Sequence, residues 1–229
     1  MYTSKGCSFR CHFCYRISGD KVRYRSVEDV VKEILFVKKE YSISRFSFED
    51  DNFGSNKIWV NEFCNLIEGE HIRFRFQANA KMLNEKIIDQ LQQAGLDGIS
   101  IGIESGCPST LREIGKNIDL EKTTKVIKML RERNMRFNAT FIIGAPGDND
   151  ESINMIKEFL IKNEFKNNFK IFFLTAYPGT PLYDRALKMG IIKDELSYIE
   201  NLKLQDRLSL NFTGYSDEKL SKWKNYLLS

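Results

Sequence analysis

The chain has 229 residues, of which 42% are hydrophobic and 29% are charged, and its 35 basic and 31 acidic side chains leave a net charge of +4. This length and hydrophobic content suffice for one well-buried core, so a division into two large domains is not required. A charge this small gives no signal for a nucleic-acid surface. No apolar stretch approaches the length of a membrane span, and no apolar leader is visible.

Hydrophobic periodicity predicts short strands that alternate with amphipathic helices along the whole chain. In the first helix Ser26 offers an N-cap, Asp29 completes a capping box, and the apolar residues at 27–35 fall on one stripe. Strands are predicted at 2–4, 45–48, 72–78, 98–103, 137–143 and 168–174. Further helices are predicted at 56–68, 84–94, 119–133, 149–163, 181–189 and 217–228.

Six strand–helix units are two short of a closed eightfold barrel. The sequence therefore predicts an α/β fold, a partial (β/α)6 TIM-like barrel with parallel strands that is open on one side. We expect residues 1–190 to form the barrel and residues 191–229 to form a C-terminal extension whose terminal helix packs on it. The active site of such a scaffold lies at the carboxyl ends of the strands.

Three cysteines, Cys7, Cys11 and Cys14, lie close together near the start of the chain. Thiolates with this spacing can hold three corners of a cubane iron–sulfur cluster and leave the fourth iron open to a ligand. Zinc is an alternative, although His12 stands too close to Cys11 to share its metal and no second cysteine pair follows. Because iron-binding thiols must stay reduced, we expect a cytoplasmic location.

Polar residues also follow the predicted strands. Glu49 and Asp50 come directly after the strand at 45–48, where they could meet a cationic ligand group or cap the next helix. Polar side chains alternate with apolar ones from 73 to Asn79, a pattern that fits either a ligand channel or a water-facing strand.

Glu104 and Ser105 directly follow the strand at 98–103, where they could contact a ligand or form a capping turn. Glycine-containing turns follow Ile143 and Tyr177, and they allow either close approach of a ligand or a plain tight turn. Cys107 is interpreted as a packed residue, with a reactive thiol or extra ligand as the alternative.

The cysteine loop has the spacing Cys-x3-Cys-x2-Cys, with Phe13 directly before the last cysteine. In this loop, and in the segments at 46–54, 94–106, 141–148 and 176–184, the chain resembles the radical S-adenosylmethionine (radical SAM) superfamily, especially its cobalamin-associated branch. The five segments occur in the order expected for that family and cover nearly the whole chain.

The resemblance implies a 4Fe-4S cluster held by Cys7, Cys11 and Cys14, with S-adenosylmethionine (SAM) bound at the open iron. Reductive cleavage of SAM would then give a 5′-deoxyadenosyl radical that abstracts hydrogen from a substrate. By the same resemblance, the cofactor-binding residues are Phe13, Glu49, Asp50, Asn79, Glu104, Ser105, Ile143 and Tyr177.

The partners implied are an electron donor such as flavodoxin or ferredoxin and a small-molecule or peptide substrate of unknown identity. No membrane partner is expected, and the sequence gives no strong nucleic-acid signal. Two alternatives stay open. One is a non-catalytic iron–sulfur or zinc-binding protein. The other is a truncated cobalamin-dependent radical methyltransferase, because a cobalamin domain normally precedes the barrel and this chain begins almost at the cysteine loop.

Overall fold

The computed structural model describes residues 1–229. The strands are β1 (Ser4–Lys5), β2 (Arg23–Tyr24), β3 (Arg45–Phe48), β4 (Arg73–Ala78), β5 (Leu96–Glu104), β6 (Phe137–Ile143) and β7 (Phe169–Phe173). The helices are α1 (Val27–Tyr41), α2 (Lys57–Ile67), α3 (Glu85–Gln93), α4 (Pro108–Glu113), α5 (Leu120–Glu132), α6 (Asp150–Lys162), α7 (Pro181–Lys188), α8 (Glu195–Glu200) and α9 (Asp217–Leu228). None of these helices is long and apolar enough to cross a bilayer.

Five strands form one sheet in the order β3-β4-β5-β6-β7. The pairs β3–β4, β4–β5 and β6–β7 are parallel, and in the first of them Phe46 lies beside Phe74 and Phe48 beside Phe76. The edge strands β3 and β7 do not pair with each other, so the sheet stays open. The predicted α/β class, with parallel strands and an open side, is confirmed.

The strand predicted at 2–4 is wrong as a member of this sheet, which therefore has five strands rather than six. Residues Ser4–Lys5 instead pair antiparallel with Arg23–Tyr24 in a separate two-stranded sheet. In this segment only Met1 forms hydrogen bonds with the end of β3. Its N-terminal ammonium donates to the Ser47 carbonyl at 2.8 Å, and its carbonyl accepts from the Glu49 amide at 2.9 Å. Beyond it, the amide of Thr3 donates to the Asp50 side chain instead of continuing a ladder.

The chain divides into two compact units. Unit 1 consists of Met1–Phe9, Arg16–Gly102 and Glu121–Asn138. Unit 2 consists of Arg10–Tyr15, Ile103–Leu120 and Ala139–Ser229. The predicted domain boundary at residue 190 stays a prediction.

Aromatic side chains form the core of unit 1. Phe48 on β3 stacks on Phe74 of β4 with ring centroids 5.2 Å apart, and Phe63 of α2 meets Phe48 edge-on at 5.6 Å. Trp59 of the same helix stacks on Phe63 at 5.4 Å. Because side chains alternate along a strand, this packing fixes which face of β3 and β4 is buried and which is not.

The core of unit 2 contains a cluster of apolar residues from α4, α7 and the ends of β6 and β7, against which Phe13 packs. The terminal helix α9 lies against α6 in this unit. Its Trp223 donates to Asp150 at 2.7 Å, and Lys219 forms an ion pair with the same carboxylate at 2.6 Å. Leu220 and Leu227 of α9 are buried beside Trp223 on one stripe of the helix.

Two short helices were absent from the sequence prediction. Helix α4 spans six residues and α8 also spans six, lengths that are too short to show a helical period. Helix α8 has no buried residue, so it lacks the apolar stripe on which the prediction depended.

Candidate functional site

In unit 1, the acidic residues after β3 anchor the segment that leads into the cysteine loop. The carboxylate of Asp50 is buried and accepts hydrogen bonds from the Thr3 amide, the Thr3 hydroxyl and the Ser4 hydroxyl, the first and last at 2.7 Å. Three donors nearly saturate a carboxylate. Glu49 is exposed, and its carboxylate accepts a hydrogen bond from Ser47.

The residue before Cys7 is held from both sides. The amide of Gly6 donates to the Asp51 carboxylate at 2.8 Å, and the amide of Cys7 donates to the Gly19 carbonyl at 3.2 Å. Gly6 has a φ of +93°, and a Cβ at this position would collide with the carbonyl oxygen of Lys21. Glycine is therefore required here, and Cys7 enters its loop from a fixed backbone.

Two buried asparagines order the loops after β3 and β4. The side-chain oxygen of Asn52 accepts the Asn79 amide at 2.8 Å. The side-chain oxygen of Asn79 in turn accepts the Lys81 amide at 3.0 Å, which starts a short 3-10 turn. Asn79 thus lies at the carboxyl end of β4, as predicted, and its visible role is to shape that loop.

In unit 2, the other half of the cysteine loop is docked on helices α4 and α7. The amide of His12 donates to the Ile114 carbonyl at 2.8 Å, and the Leu182 amide donates to the His12 carbonyl at 3.1 Å. The Cys14 amide donates to the Cys11 carbonyl at 3.3 Å, so these two cysteines lie on one tight turn. A Cβ on Gly115 would stand 2.6 Å from the His12 ring, so glycine is needed for this docking.

Glu104 at the end of β5 has an unusual backbone conformation. Its φ is +71°, in the left-handed region that non-glycine residues rarely adopt, and its side chain is buried. One carboxylate oxygen lies 3.0 Å from the Lys116 ammonium, and the other accepts from the Thr140 hydroxyl at 3.5 Å. Such outliers cluster at binding and catalytic sites, where the surrounding structure stabilises them.

Lys116 brings a buried positive charge to the cysteine turn. Burial lowers the pKa of its ammonium, but the Glu104 carboxylate and the Cys11 and Cys14 sulfurs outweigh burial and raise the pKa above its ordinary value. The same charge favours the thiolate form of both cysteines.

The remaining predicted contacts in unit 2 lie near the ends of their strands. Ser105 is fully buried, and its hydroxyl accepts the Cys107 amide at 3.0 Å. Ile143 is also fully buried, and its carbonyl accepts the Leu174 amide at 2.9 Å. Tyr177 is half-buried, with its ring centroid 6.3 Å from that of Tyr15.

Asp148 is a further buried carboxylate in unit 2, in the loop after β6. It accepts the Ala145 amide at 2.9 Å, the Thr110 hydroxyl at 2.9 Å and the Ser152 hydroxyl at 3.0 Å. Burial raises its pKa, and these hydrogen bonds oppose the rise without cancelling it. Asp148 thus ties the loop after β6 to α4 and α6.

Cys107 is buried, as its interpretation as a packed residue predicts. Burial raises the pKa of the thiol, but hydrogen bonds with Ser109 and Thr110 outweigh it, so the pKa lies below its ordinary value. Its sulfur lies 3.0 Å from the Ser109 hydroxyl, within the first turn of α4.

The cysteine loop fits a cubane cluster by donor type and by charge. All five cysteines are free thiols, and the three in the loop supply the thiolate donors that such clusters take. No group of three or more His, Cys, Asp or Glu side chains is gathered around a position for a single metal ion. In a cubane each thiolate binds a different iron, so its sulfurs need not converge on one point. The buried Lys116 beside Cys11 and Cys14 supports the thiolate form.

Sequence reasoning missed several residues of these loops. Asp51 belongs to the acidic run with Glu49 and Asp50 but was not preferred within it, and Asn52 directly follows that run, so the signal was present. Asp148 follows a Pro-Gly turn and precedes the N-cap of α6, a position where a buried anchor could have been expected. No sequence pattern near Lys116 marks it as a site residue, because its partner Glu104 lies at the end of β5 and helix α4 separates the two residues.

The model of the Radical SAM superfamily matches residues 1–160. The chain is 30% identical over 207 residues to cytidylyl-2-hydroxyethylphosphonate methyltransferase from Streptomyces wedmorensis, covering 86% of this chain and 39% of the relative. It is 28% identical over 208 residues to bacteriochlorophyllide d C-8(2)-methyltransferase from Chlorobaculum tepidum, covering 85% and 46%. The chain thus spans less than half the length of these curated relatives.

Solved structures show the same fold. TsrM from Kitasatospora setae, a radical S-adenosylmethionine methyltransferase solved with cobalamin and a [4Fe-4S] cluster, gives a TM-score of 0.75 at 19% identity over 84% of this chain and 40% of that chain. Coproporphyrinogen III oxidase (HemN) from Escherichia coli gives 0.65 at 14% identity over 98% and 50%. With the family match over more than half of its length, this chain belongs to the radical SAM superfamily.

Proposed function

We propose that this chain is the radical SAM domain of an enzyme in which Cys7, Cys11 and Cys14 hold a 4Fe-4S cluster. The observation that carries the proposal is the family match over residues 1–160, which includes the entire cysteine loop. Three cysteine ligands leave one iron open, and this is where the amino and carboxylate groups of SAM would bind. Reductive cleavage of SAM to methionine and a 5′-deoxyadenosyl radical is the chemistry that the bound cofactors would supply.

The protein's own contribution is to hold these groups in place and to set their charge. Lys116 favours thiolates at Cys11 and Cys14, and Gly6 and Gly115 permit the close backbone contacts that fix the loop. Because the carboxylate of Asp50 is already bonded to Thr3 and Ser4, we assign it first to positioning the segment before Cys7.

The predicted cofactor contacts become proposals at specific loops. In unit 1 these are Glu49, whose carboxylate is exposed, together with Asp50 and Asn79. In unit 2, Glu104 is the strongest candidate, because its strained backbone and buried carboxylate suit an acceptor for a ligand amine or hydroxyl. The other proposed contacts in unit 2 are Phe13, Ser105, Ile143 and Tyr177.

Methyl transfer is a second candidate function. It is favoured by the names of the relatives, which include methyltransferases acting on a cytidylyl phosphonate and on a bacteriochlorophyllide, and by the cobalamin bound in TsrM. Methyl transfer from SAM leaves S-adenosylhomocysteine, whereas radical cleavage leaves 5′-deoxyadenosine. Chromatography after turnover distinguishes the two functions by the homocysteine product: S-adenosylhomocysteine, alone or together with 5′-deoxyadenosine, indicates methyl transfer, whereas 5′-deoxyadenosine without it indicates radical cleavage alone.

The proposed cleavage needs one electron for each SAM, and we propose a small electron carrier such as flavodoxin or ferredoxin as its source. A cytoplasmic location suits the five free thiols, since thiols stay reduced in that compartment.

The cluster proposal is tested by anaerobic reconstitution with iron and sulfide. We expect about four irons and four sulfides per chain, with an electron paramagnetic resonance signal after reduction. Replacement of Cys11 by alanine should remove most of the bound iron and sulfide. Cys64→Ala is the matched control, because Cys64 lies in α2 outside the loop and burial raises the pKa of its thiol to about 12. Equal iron and sulfide in Cys11→Ala and wild type would contradict the proposal, provided that circular dichroism shows both variants folded.

A further inference from the structure

One face of the sheet in unit 1 is uncovered. Along β3 and β4 the phenylalanines are buried, while the residues between them, Arg45, Arg73, Arg75 and Gln77, are exposed. Parallel sheets normally have both faces covered. An exposed parallel-sheet face that bears arginines therefore requires an explanation, and we call it the arginine face (Arg45, Arg73, Arg75 and Arg136).

Two of these arginines converge on a single carboxylate. Asp97 on β5 lies 2.6 Å from the Arg136 guanidinium and 3.6 Å from that of Arg45, although β4 separates β3 from β5 in the sheet. The Asp97 side chain is only 12% exposed, whereas Arg45 and Arg136 are 67% and 68% exposed. The carboxylate therefore draws both guanidinium groups over the sheet while leaving most of their donors in solvent.

The other two arginines are not neutralised. Arg73 makes no side-chain hydrogen bond or ion pair, and it lies directly beside Arg45 in the strand register. Arg75 donates through Nε to the Ser47 hydroxyl at 3.2 Å, which leaves the ends of its guanidinium fork unbonded. Like charges placed side by side on neighbouring strands are unfavourable. Two carboxylates accompany the four guanidinium groups on this face. One is Asp97, and the other is Glu49, which accepts a hydrogen bond from the Ser47 hydroxyl.

A cavity adjoins the same charges. It has a volume of about 630 Å³ and lies at the amino ends of β4 and β5. Arg73 and Arg136 belong to both its wall and the arginine face, and Asp97, which pairs with Arg136, also lines it. This volume is in the range of small-molecule sites.

We propose that the arginine face binds a small polyanion, a molecule that carries phosphoryl or carboxyl groups. Guanidinium forks bind both groups in a bidentate manner, and forks from neighbouring strands can bind more than one group of the same molecule. The excess of positive charge on this face is limited to a few guanidinium groups, which suits a compact ligand better than an extended nucleic-acid backbone. Binding of a polyanion to the arginine face does not depend on the proposed function. Only the further step of identifying this polyanion as the enzyme's substrate rests on that function.

The test uses the cluster-loaded chain and calorimetric titration with inorganic pyrophosphate and, separately, with citrate. We expect saturable binding of at least one probe, weakened about fivefold in each of Arg73→Gln and Arg75→Gln, as for exposed charge pairs. Arg73 has no side-chain partner, so its replacement should leave the fold intact. Arg207→Gln is the matched control, because it removes the same charge from an exposed position outside the face.

Preference for pyrophosphate or citrate identifies a phosphoryl or a carboxyl ligand, and either result supports the proposal. Absence of saturable binding, or equal affinity in the wild type and both folded arginine variants, would overturn it. Tighter, arginine-dependent binding of a single-stranded RNA oligonucleotide would also overturn it. Because the titration does not require SAM cleavage, its failure is distinguishable from failure of the proposed function.

Discussion

At the residue scale, the buried pair of Glu104 and Lys116 is the most informative feature of unit 2. Each side chain is only 9% exposed, and the two charged groups lie 3.0 Å apart. A buried pair contributes little net stability compared with apolar residues, but removal of one partner leaves an uncompensated charge. The pair therefore supports a specific arrangement around the cysteine turn more than it supports overall stability.

Replacement of Lys116 by methionine should lower the free energy of unfolding by about 3 kcal/mol, because the Glu104 carboxylate is left buried without its cation. The double variant Lys116→Met with Glu104→Gln should recover part of this loss, since no unpaired charge remains. Both changes are measured by urea denaturation of the cluster-free chain.

The exposed ion pair between Arg185 and Glu113 is the control for this cycle. Both side chains are more than 40% exposed, so Arg185→Gln should change stability by less than about 1 kcal/mol. A double variant that is less stable than Lys116→Met alone would refute the unpaired-charge explanation.

The sequence identified Glu104 as a candidate but could not identify Lys116. Alternation along β5 and the glycine that follows Ser105 both marked the strand end where Glu104 lies. The position of Lys116 instead depends on how the chain continues past the short helix α4, and a helix of six residues leaves no hydrophobic period to show its direction. The left-handed backbone of Glu104 was equally invisible, because it is a property of the folded turn.

At the element scale, the turn after β5 packs directly on α6. A Cβ added to Gly106 would lie 2.5 Å from the Met155 carbonyl oxygen and 2.9 Å from the Ile156 Cα. Backbone atoms cannot move aside as a flexible side chain would. The glycine at position 106 is therefore explained by the close approach of a helix.

Replacement of Gly106 by alanine should destabilise unit 2 by about 2 kcal/mol, the range seen for overpacking of a core contact. Gly214→Ala is the matched control, because nothing lies within 4 Å of its added Cβ and its φ is not positive. Thermal unfolding followed by circular dichroism compares the two variants. Equal melting temperatures would show that the turn can separate from α6 without cost.

Most elements could be predicted because their apolar residues repeat at helix or strand spacing. The predicted strands at 45–48 and 137–143 match β3 and β6 residue for residue, and the helix at 217–228 matches α9. The pairing of the first strand could not be predicted correctly, because it depends on Asp50. The Asp50 carboxylate accepts hydrogen bonds from the Thr3 amide and the Ser4 hydroxyl, so this segment does not pair with β3. Such long-range competition leaves no periodic pattern in the sequence.

At the scale of the whole molecule, the family assignment and the open parallel sheet agree with the sequence prediction. The spacing of Cys7, Cys11 and Cys14 predicts a cluster site without knowledge of the fold, because cluster ligation constrains residue type and separation together. The arginine face could not be recognised in the same way. Its charges come from β3, from β4 and from the residue before β6, which are distant in sequence, and only strand register and the position of Asp97 bring them together.

The most direct test of the central claim is the release of 5′-deoxyadenosine from SAM by the cluster-loaded, chemically reduced chain, measured by liquid chromatography under anaerobic conditions. We expect the nucleoside to form with wild type and with Cys64→Ala, and to be absent with Cys11→Ala. Intact SAM after incubation with a chain that carries a full, reduced 4Fe-4S cluster would contradict the assignment of this domain as a radical SAM catalyst.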